Sequence, residues 1–164
     1  MKTLVVYYSL EGNSKYIAEK IKSYDDENIT LLELIPVKKY PTGAVSKFFW
    51  GGKSAMMGEK PELESYSVNL SEYDRVIFGF PVWAARFTPP LRTFIDENRD
   101  ALEGKKIAAY ACMAGSGGDK ALSKLKEELG ISEFEEQMIL INPKENDNEE
   151  NNKKIVAFCE GLFT

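Results

Sequence analysis

Five short apolar runs recur along the chain, each four to six residues long and rich in β-branched and aromatic residues. Continuous runs of this length are typical of strands that are covered on both faces of a sheet. The predicted strands are 4–8, 29–34, 76–80, 107–112 and 138–141.

Apolar residues between these runs repeat at intervals of three and four, which is the spacing of an amphipathic helix. The predicted buried faces are Ile17, Ala18, Ile21 and Tyr24; Leu91, Phe94, Ile95 and Leu102; Leu122, Leu125 and Leu129; and Ile155, Val156, Cys159, Leu162 and Phe163. Thr88, followed by two prolines, and Asp119 are predicted to cap the second and third of these helices.

Strands that alternate with helices predict an α/β fold, a doubly wound parallel sheet with helices on both faces. No internal repeat or linker interrupts the 164 residues, so we expect one domain over 1–164. The connection at about 36–70 is about twice the usual length. Within it, 46–63 has helical apolar spacing broken by Gly51 and Gly52, which predicts an interrupted helix.

Charge and composition narrow the possible functions. The chain has 21 basic and 26 acidic residues, a net charge of −5, which argues mildly against nucleic acid or an anionic membrane as partner. No apolar stretch is long enough to span a bilayer, and no cleavage site follows the N-terminal apolar run, so we expect a cytoplasmic protein. The two cysteines, Cys112 and Cys159, suggest neither a disulfide framework nor a metal site.

The chain contains no histidine. This absence removes Ser-His-Asp and Cys-His catalysis and the commonest metal ligand. We therefore predict no catalytic side chain and no metal, and expect a bound cofactor to supply any chemistry near neutral pH.

Ligands of a doubly wound sheet bind beyond the carboxyl ends of its strands. Three unusual loops follow strands one, three and four: SLEGNS at 9–14, PVWAARFTPP at 81–90 and MAGSGGDK at 113–120. All three are predicted to meet at one edge of the sheet, which indicates a ligand site there.

The first loop suits a phosphate group. Hydroxyls at Ser9 and Ser14 can donate to an anion, Gly12 allows close approach, and the following helix offers free N–H groups. Neither G-x-x-x-x-G-K-[ST] nor G-x-G-x-x-G is present, and the loop has no lysine or arginine, so a monoester held by neutral donors is favoured. An ordinary helix cap made by Ser9 and Asn13 is about equally compatible with this loop alone.

The other two loops also allow two interpretations. Trp83 can stack on a planar aromatic ligand or pack over the sheet edge. Gly115, Gly117 and Gly118 can bring backbone groups to the edge of a flat heterocycle or simply form a turn before a helix.

The stretch YYSLEGNS resembles the phosphate-loop signature of the flavodoxin family, in which an apolar strand leads into serine or threonine, a variable pair and Gly-Asn-Thr. PVW after the third strand and the glycine-rich fourth loop extend the resemblance over the whole chain. The short fifth strand, which leads directly to the last helix, resembles the short-chain type. The resemblance implies a flavodoxin-like sheet of order 2-1-3-4-5.

The same resemblance implies FMN as the cofactor. Its phosphate would be held by Ser9, Gly12, Asn13, Ser14 and the backbone of Glu11. Its isoalloxazine ring would be flanked by Pro81, Val82, Trp83 and Ala84. The other edge of the ring would be covered by Met113, Ala114, Gly115, Ser116, Gly117 and Gly118.

Three departures from the family pattern bear on function. Glu11 stands where threonine is common, and we expect its side chain to point to solvent. No tyrosine in the third loop covers the flavin, so one ring face is open or is covered by 36–70, where Trp50 and Met56 are candidates. The stretch from Trp83 to Ala85 lacks the glycine that eases a peptide flip beside the flavin.

These departures leave two main functions. A flavodoxin-type electron carrier that docks on redox partner proteins is favoured. The alternative is an FMN-dependent NAD(P)H reductase of quinones or nitro compounds, with Arg86 able to hold a phosphate or carboxylate. A flavin-free binding domain is a third interpretation, and the stretch FFWGGKSAMM leaves open a monomer with a lid or a homodimer.

Overall fold

The computed structural model describes residues 1–42 and 52–164. Its five strands form one parallel sheet in the order β2-β1-β3-β4-β5, which confirms the predicted fold and strand order. The strands are β1 Thr3–Tyr7, β2 Ile29–Glu33, β3 Arg75–Pro81, β4 Lys106–Met113 and β5 Gln137–Ile141.

Helices cover both faces of the sheet. They are α1 Asn13–Lys22, α2 Gly52–Met56, α3 Pro89–Glu97, α4 Arg99–Leu102, α5 Gly118–Leu129 and α6 Glu149–Phe163, with a 3-10 turn at Leu70–Glu72. Side chains of α1 and α6 form one buried cluster with one face of the sheet, and side chains of α3 and α5 form another with the opposite face. The two-sided burial explains why the central strands β1, β3 and β4 carry long runs of consecutive apolar residues.

The register brings the carboxyl ends of the strands to a common edge. Tyr7 at the end of β1 lies opposite Gly79, and Pro81 at the end of β3 lies opposite Cys112. The backbone N–H of Val82 donates to the Cys112 carbonyl at 2.9 Å, so the second loop starts beside the end of β4. The loops after β1, β3 and β4 therefore leave the sheet side by side, as predicted.

Two predicted helix boundaries are wrong. The third predicted helix, α5, begins at Gly118 with Gly117 as its N-cap, so Asp119 lies inside the helix and does not cap it. The second predicted helix divides at Asn98 into α3 and α4, because Asn98 departs from helical geometry and donates its side-chain amide to the Phe94 carbonyl at 2.8 Å.

Two residues predicted to be buried on helix faces are exposed. Tyr24 lies beyond the end of α1, and Val156 lies on the solvent side of α6. By contrast, Thr88 is the N-cap of α3 as predicted, although its hydroxyl makes no capping bond.

The long connection is described only in part. Residues 43–51, which include Trp50, lie outside the described residues, and the predicted interrupted helix appears only as α2. The backbone N–H of Val37 donates to the Glu62 carbonyl at 2.9 Å, and that of Glu64 donates to the Ile35 carbonyl at 2.7 Å, so the connection returns to its starting point. Among the described residues, no helix is long and apolar enough to cross a membrane.

Candidate functional site

Two adjoining cavities lie at the carboxyl edge of the sheet. The larger has a volume of about 180 Å³ and is lined by Glu11, Asn13, Gly52, Pro81, Val82, Trp83, Ala84, Cys112, Met113, Ala114 and Asn142. The smaller, of about 20 Å³, is lined by Ser9, Leu10, Glu11, Asn13, Ser14, Pro81 and Trp83. Residues from the three predicted loops meet at these cavities.

The predicted site residues divide into those that line the cavities and those that do not. The lining residues are Ser9, Glu11, Asn13, Ser14, Pro81, Val82, Trp83, Ala84, Met113 and Ala114. Gly12 lies within the first loop without forming a wall, and Gly115, Ser116, Gly117 and Gly118 are absent from both linings. The first and second loops therefore form most of the site.

The first loop turns sharply into α1. Gly12 is the N-cap residue and has a φ of 97°, a left-handed conformation that glycine adopts without steric cost. The hydroxyl of Ser9 accepts the backbone N–H of Lys15 at 3.2 Å, so Ser9 also satisfies one donor of the first helical turn. The Asn13 side chain accepts a backbone N–H from Lys144 at 2.9 Å and does not cap its own helix.

Ser14 provides the test of whether an anion fits this loop. Its side chain is 1% exposed, and its hydroxyl has no hydrogen-bond partner among the described residues, although it lines the smaller cavity. The neighbouring Cys112 thiol is only a weak hydrogen-bonding group. A buried hydroxyl without a partner, placed at a helix N-terminus beside a cavity, suits a phosphate oxygen, so the residues fit FMN.

Tyr110 anchors the first turn of α1 to the sheet. Its hydroxyl donates to the Ser14 carbonyl at 2.8 Å, and its ring is fully buried. To reach α1 from β4, the ring passes directly over Gly79 on β3, where an added Cβ would lie 2.0 Å from the ring carbon that bears the hydroxyl. Burial raises the pKa of Tyr110 well above its usual value, so this tyrosine remains a hydrogen-bond donor.

The second loop is a tight hairpin with an unusual backbone. Trp83 and Arg86 exchange two backbone hydrogen bonds of 3.0 Å, and the two residues between them have positive φ, 50° at Ala84 and 56° at Ala85. This geometry is normally taken by Asn-Gly or Gly-Gly, because a Cβ is unfavourable at positive φ. Non-glycine residues in this conformation cluster at functional sites.

Trp83 packs at the edge of the sheet, which is one of the two interpretations that the sequence left open. Its side chain is 6% exposed and packs edge-to-face against Tyr8 and Tyr40, with ring centroids 5.7 Å and 5.0 Å away. Burial raises the pKa of both tyrosines, so their hydroxyls stay neutral. Trp83 thus forms a wall of both cavities as part of a packed aromatic cluster.

Only the first part of the third loop lines the larger cavity. Met113 and Ala114 lie in its wall, whereas Gly117 and Gly118 are closely packed against neighbouring elements. An added Cβ at Gly117 would lie 3.0 Å from the Ala85 backbone, and one at Gly118 would lie 2.7 Å from the Ile139 side chain. These glycines allow α5 to begin close to the hairpin and to β5.

Five residues near the site were missed by the sequence analysis. They are Leu10, Gly52, Cys112, Asn142 and Lys144. Asn142 follows β5 with a φ of 40° and donates its backbone N–H to the Met113 carbonyl at 3.0 Å. The dipeptide Asn142-Pro143, a turn signal just after the last strand, marks this edge and could have indicated a fourth loop.

Cys112 forms part of the cavity wall and is buried as expected of a small apolar side chain. Burial raises the pKa of its thiol to about 12, against a weaker lowering by the Ser14 hydroxyl. The thiol is therefore neutral and unreactive near pH 7.

The larger cavity is smaller than the roughly 300 Å³ at which small-molecule pockets begin. A flavin at this edge would extend beyond the cavity into solvent. The arrangement can hold a phosphate at α1 and one edge of a flat ring against the second and third loops.

Comparison with known proteins supports a flavin site. The model of the NADPH-dependent FMN reductase family matches residues 1–142. A flavoprotein from Lactobacillus acidophilus, solved in complex with FMN, is 23% identical with a TM-score of 0.73, covering 89% of this chain and 96% of that one.

Two further solved structures share the fold. Flavodoxin 2 from Bacillus cereus is 22% identical with a TM-score of 0.58, and the match covers 98% of this chain and 97% of that one. An NADPH-quinone reductase from P. pentosaceus is 13% identical with a TM-score of 0.60, covering 98% and 96%.

Proposed function

The chain belongs to the NADPH-dependent FMN reductase family, and from this premise we propose that it is an FMN-dependent oxidoreductase that accepts electrons from NAD(P)H. The family confirms FMN, the cofactor predicted from the sequence. When bound, FMN supplies the hydride-accepting and electron-transfer chemistry that amino-acid side chains do not provide.

In this proposal the chain's own residues bind and orient the cofactor. The Ser9 and Ser14 hydroxyls and the N–H groups at the start of α1 hold the phosphate, with Gly12 allowing close approach. The hairpin at Ala84 and Ala85 and the backbone at Met113 lie along the flat ring.

One observation favours a reductase over a carrier. Trp83 is the single aromatic side chain among the described residues that line the two cavities, and it packs edge-to-face with Tyr8 and Tyr40. Because Trp83 is only 6% exposed, it presents little surface on which a flavin could stack. A ring face without such a cover leaves room for a second planar molecule, as direct electron transfer from a nicotinamide requires.

A neighbouring cavity supports the same proposal. It has a volume of about 670 Å³ and is lined by Val37, Lys38, Lys39, Tyr40, Pro41, Lys53, Ser54, Glu59, Pro61 and Glu62. It adjoins the cavity of about 180 Å³ at the edge of the sheet. Tyr40, which contacts Trp83, lies between the two, together with the start of α2. Its volume suits a nucleotide, and Lys38 and Lys39 place positive charge in its lining, where a dinucleotide would carry negative charge.

The proposal predicts direct reduction by a nicotinamide. Purified protein reconstituted with FMN is mixed anaerobically with NADPH and, separately, NADH, while the flavin absorbance is recorded. We expect rapid bleaching with at least one of the two. Free FMN at the same concentration is the control, because any uncatalysed reaction with NAD(P)H appears there too.

An electron carrier is the second candidate, and Glu11 favours it. This exposed carboxylate lies in the wall of both cavities, and negative charge beside a flavin disfavours the negatively charged reduced form. Bleaching by a ferredoxin-type reductase, together with none by NADPH or NADH, would contradict the reductase proposal and support a carrier.

A further inference from the structure

Lys144, in the loop after β5, lies against the first turn of α1. Its backbone N–H donates to the Asn13 side chain at 2.9 Å, although the two residues are 131 positions apart. A Cβ added at Gly12 would lie 2.9 Å from the Lys144 ammonium nitrogen and 3.3 Å from its Cδ. The lysine side chain therefore runs along Gly12 and places its charge beside the helix N-terminus.

The Lys144 ammonium has no carboxylate partner in the ion pairs that the described residues form. The loop 9–14 carries no basic residue of its own. None of the ion pairs found within residues 1–42 and 52–164 includes Lys144. Three acidic residues that follow it are paired with other lysines, Asp147 with Lys20, Glu149 with Lys153 and Glu150 with Lys154.

A cation at this end of a helix is electrostatically unfavourable by itself. The helix N-terminus carries about half a positive charge, so both it and the Lys144 ammonium favour an anion between them. The acidic residue of the loop, Glu11, is exposed at the cavity walls. The Ser14 hydroxyl points to the same conclusion independently, because it is buried beside the smaller cavity without a partner in the described structure. Both features are satisfied by one phosphate group.

We propose that the Lys144 ammonium is a cationic ligand of the FMN phosphate, supplied by the loop after β5 to a phosphate loop that contains only neutral donors. The assignment rests on FMN binding and deepens the proposed function. It makes the β5–α6 loop a fourth wall of the site. It also gives Gly12 a second role, since any side chain there would displace Lys144.

The test compares FMN with riboflavin, which lacks the phosphate. Dissociation constants are measured by flavin fluorescence for the wild type, Lys144→Ala, Lys144→Arg and Lys124→Ala. Lys124 is a partly exposed lysine on α5, on the opposite face of the sheet, and controls for the change in net charge. The backbone bond to Asn13 does not need the lysine side chain, so Lys144→Ala should fold, as circular dichroism would verify.

We expect Lys144→Ala to weaken FMN binding about ten-fold, the effect of losing one charge-assisted contact near the surface. Riboflavin binding should not change, Lys144→Arg should retain most of the affinity, and Lys124→Ala should behave as the wild type. Added salt should weaken FMN binding by the wild type more than by Lys144→Ala.

Equal losses for FMN and riboflavin, or no loss for FMN, would overturn the assignment. Measurements on the wild type distinguish a failure of the Lys144 assignment from a failure of the reductase proposal. If the wild type binds FMN but is not reduced by NADPH or NADH, the reductase proposal fails. The FMN and riboflavin affinities of the Lys144 variants still test the Lys144 assignment in that case.

Discussion

Ala84 and Ala85 hold left-handed backbone conformations in a turn that favours glycine. Each such residue costs about 1–2 kcal/mol relative to an ordinary conformation. The turn is fixed by two backbone bonds between Trp83 and Arg86 and by contact of Ala85 with Gly117. The strain therefore lies in the loop proposed to meet the flavin ring.

Ala85→Gly should relieve part of this strain. We expect the free energy of unfolding to rise by about 0.5–1 kcal/mol, because the gain at positive φ exceeds the added freedom of glycine in the unfolded chain. Urea denaturation would measure it. Ala157→Gly, at an exposed position within α6, is the matched control and should lower stability by about 1 kcal/mol. A fall in stability for Ala85→Gly would show that the turn is not strained.

At the residue scale, the sequence predicts site residues that are close together along the chain. Ser9, Gly12 and Ser14 belong to one short loop, so their spacing made a phosphate site one of two interpretations, beside an ordinary helix cap. Lys144 could not be found this way, because its contact with Asn13 spans most of the chain. The sequence left two interpretations of Trp83 open for the related reason that Tyr8 and Tyr40, which pack against it, lie far from it in sequence.

At the element scale, Tyr110 links β4 to α1 by its bond to the Ser14 carbonyl. Tyr110→Phe should lower the free energy of unfolding by about 1 kcal/mol, the usual net value of a buried hydrogen bond. The same change should weaken FMN binding, because the first turn of α1 is then held less firmly. Denaturant unfolding and flavin fluorescence would test both effects.

Tyr24→Phe is the control for this substitution. Tyr24 is 44% exposed and lies just beyond α1, so its change should affect stability by less than about 0.5 kcal/mol. An unchanged stability in Tyr110→Phe would mean that the hydroxyl contributes nothing to holding the helix.

Strands were predicted more accurately than helix ends, for a physical reason. A strand buried on both faces is apolar throughout, as Val76, Ile77 and Phe78 are, so its limits appear in composition. A helix start depends on one local conformation. At α5 the left-handed Gly117 sets the start, although Asp119 carries the more usual capping side chain.

At the scale of the whole molecule, Arg75 and Glu135 form a two-bond ion pair of 2.7 and 2.8 Å that joins β3 to the segment before β5. The Arg75 side chain is 4% exposed and that of Glu135 is 26% exposed. Hydrogen bonding from Arg75 holds the Glu135 pKa below its usual value of 4.5. The pair therefore stabilises the fold above about pH 4.5 and loses this effect as pH falls through the lower pKa of the folded state.

Glu135→Gln should lower the free energy of unfolding at pH 7 by about 2–3 kcal/mol, since it leaves the buried Arg75 charge without its partner. The variant should also show a smaller loss of stability than the wild type as the pH falls below about 4.5. Urea denaturation across this range would measure both. Glu149→Gln, which removes a solvent-exposed pair with Lys153, should have almost no effect at either pH.

The function is less determined by the sequence than the fold is. The alternation of strands and helices predicts a parallel sheet, and the resemblance of residues 7–14 to the flavodoxin phosphate loop implies FMN as the cofactor. Whether NAD(P)H reaches the ring depends on what covers one face of it. The covering depends on the tertiary packing around Trp83 and Tyr40, and the spacing of apolar residues along the sequence does not predict this packing.

The contact between Asn13 and Lys144 also has a consequence for folding during translation. Asn13 in the phosphate loop lies 131 positions before Lys144, so this loop leaves the ribosome well before β5 and the loop that follows β5. The contact between Asn13 and Lys144 can form only after residue 144 has been released. A chain truncated before residue 144 would lack this contact at the start of α1.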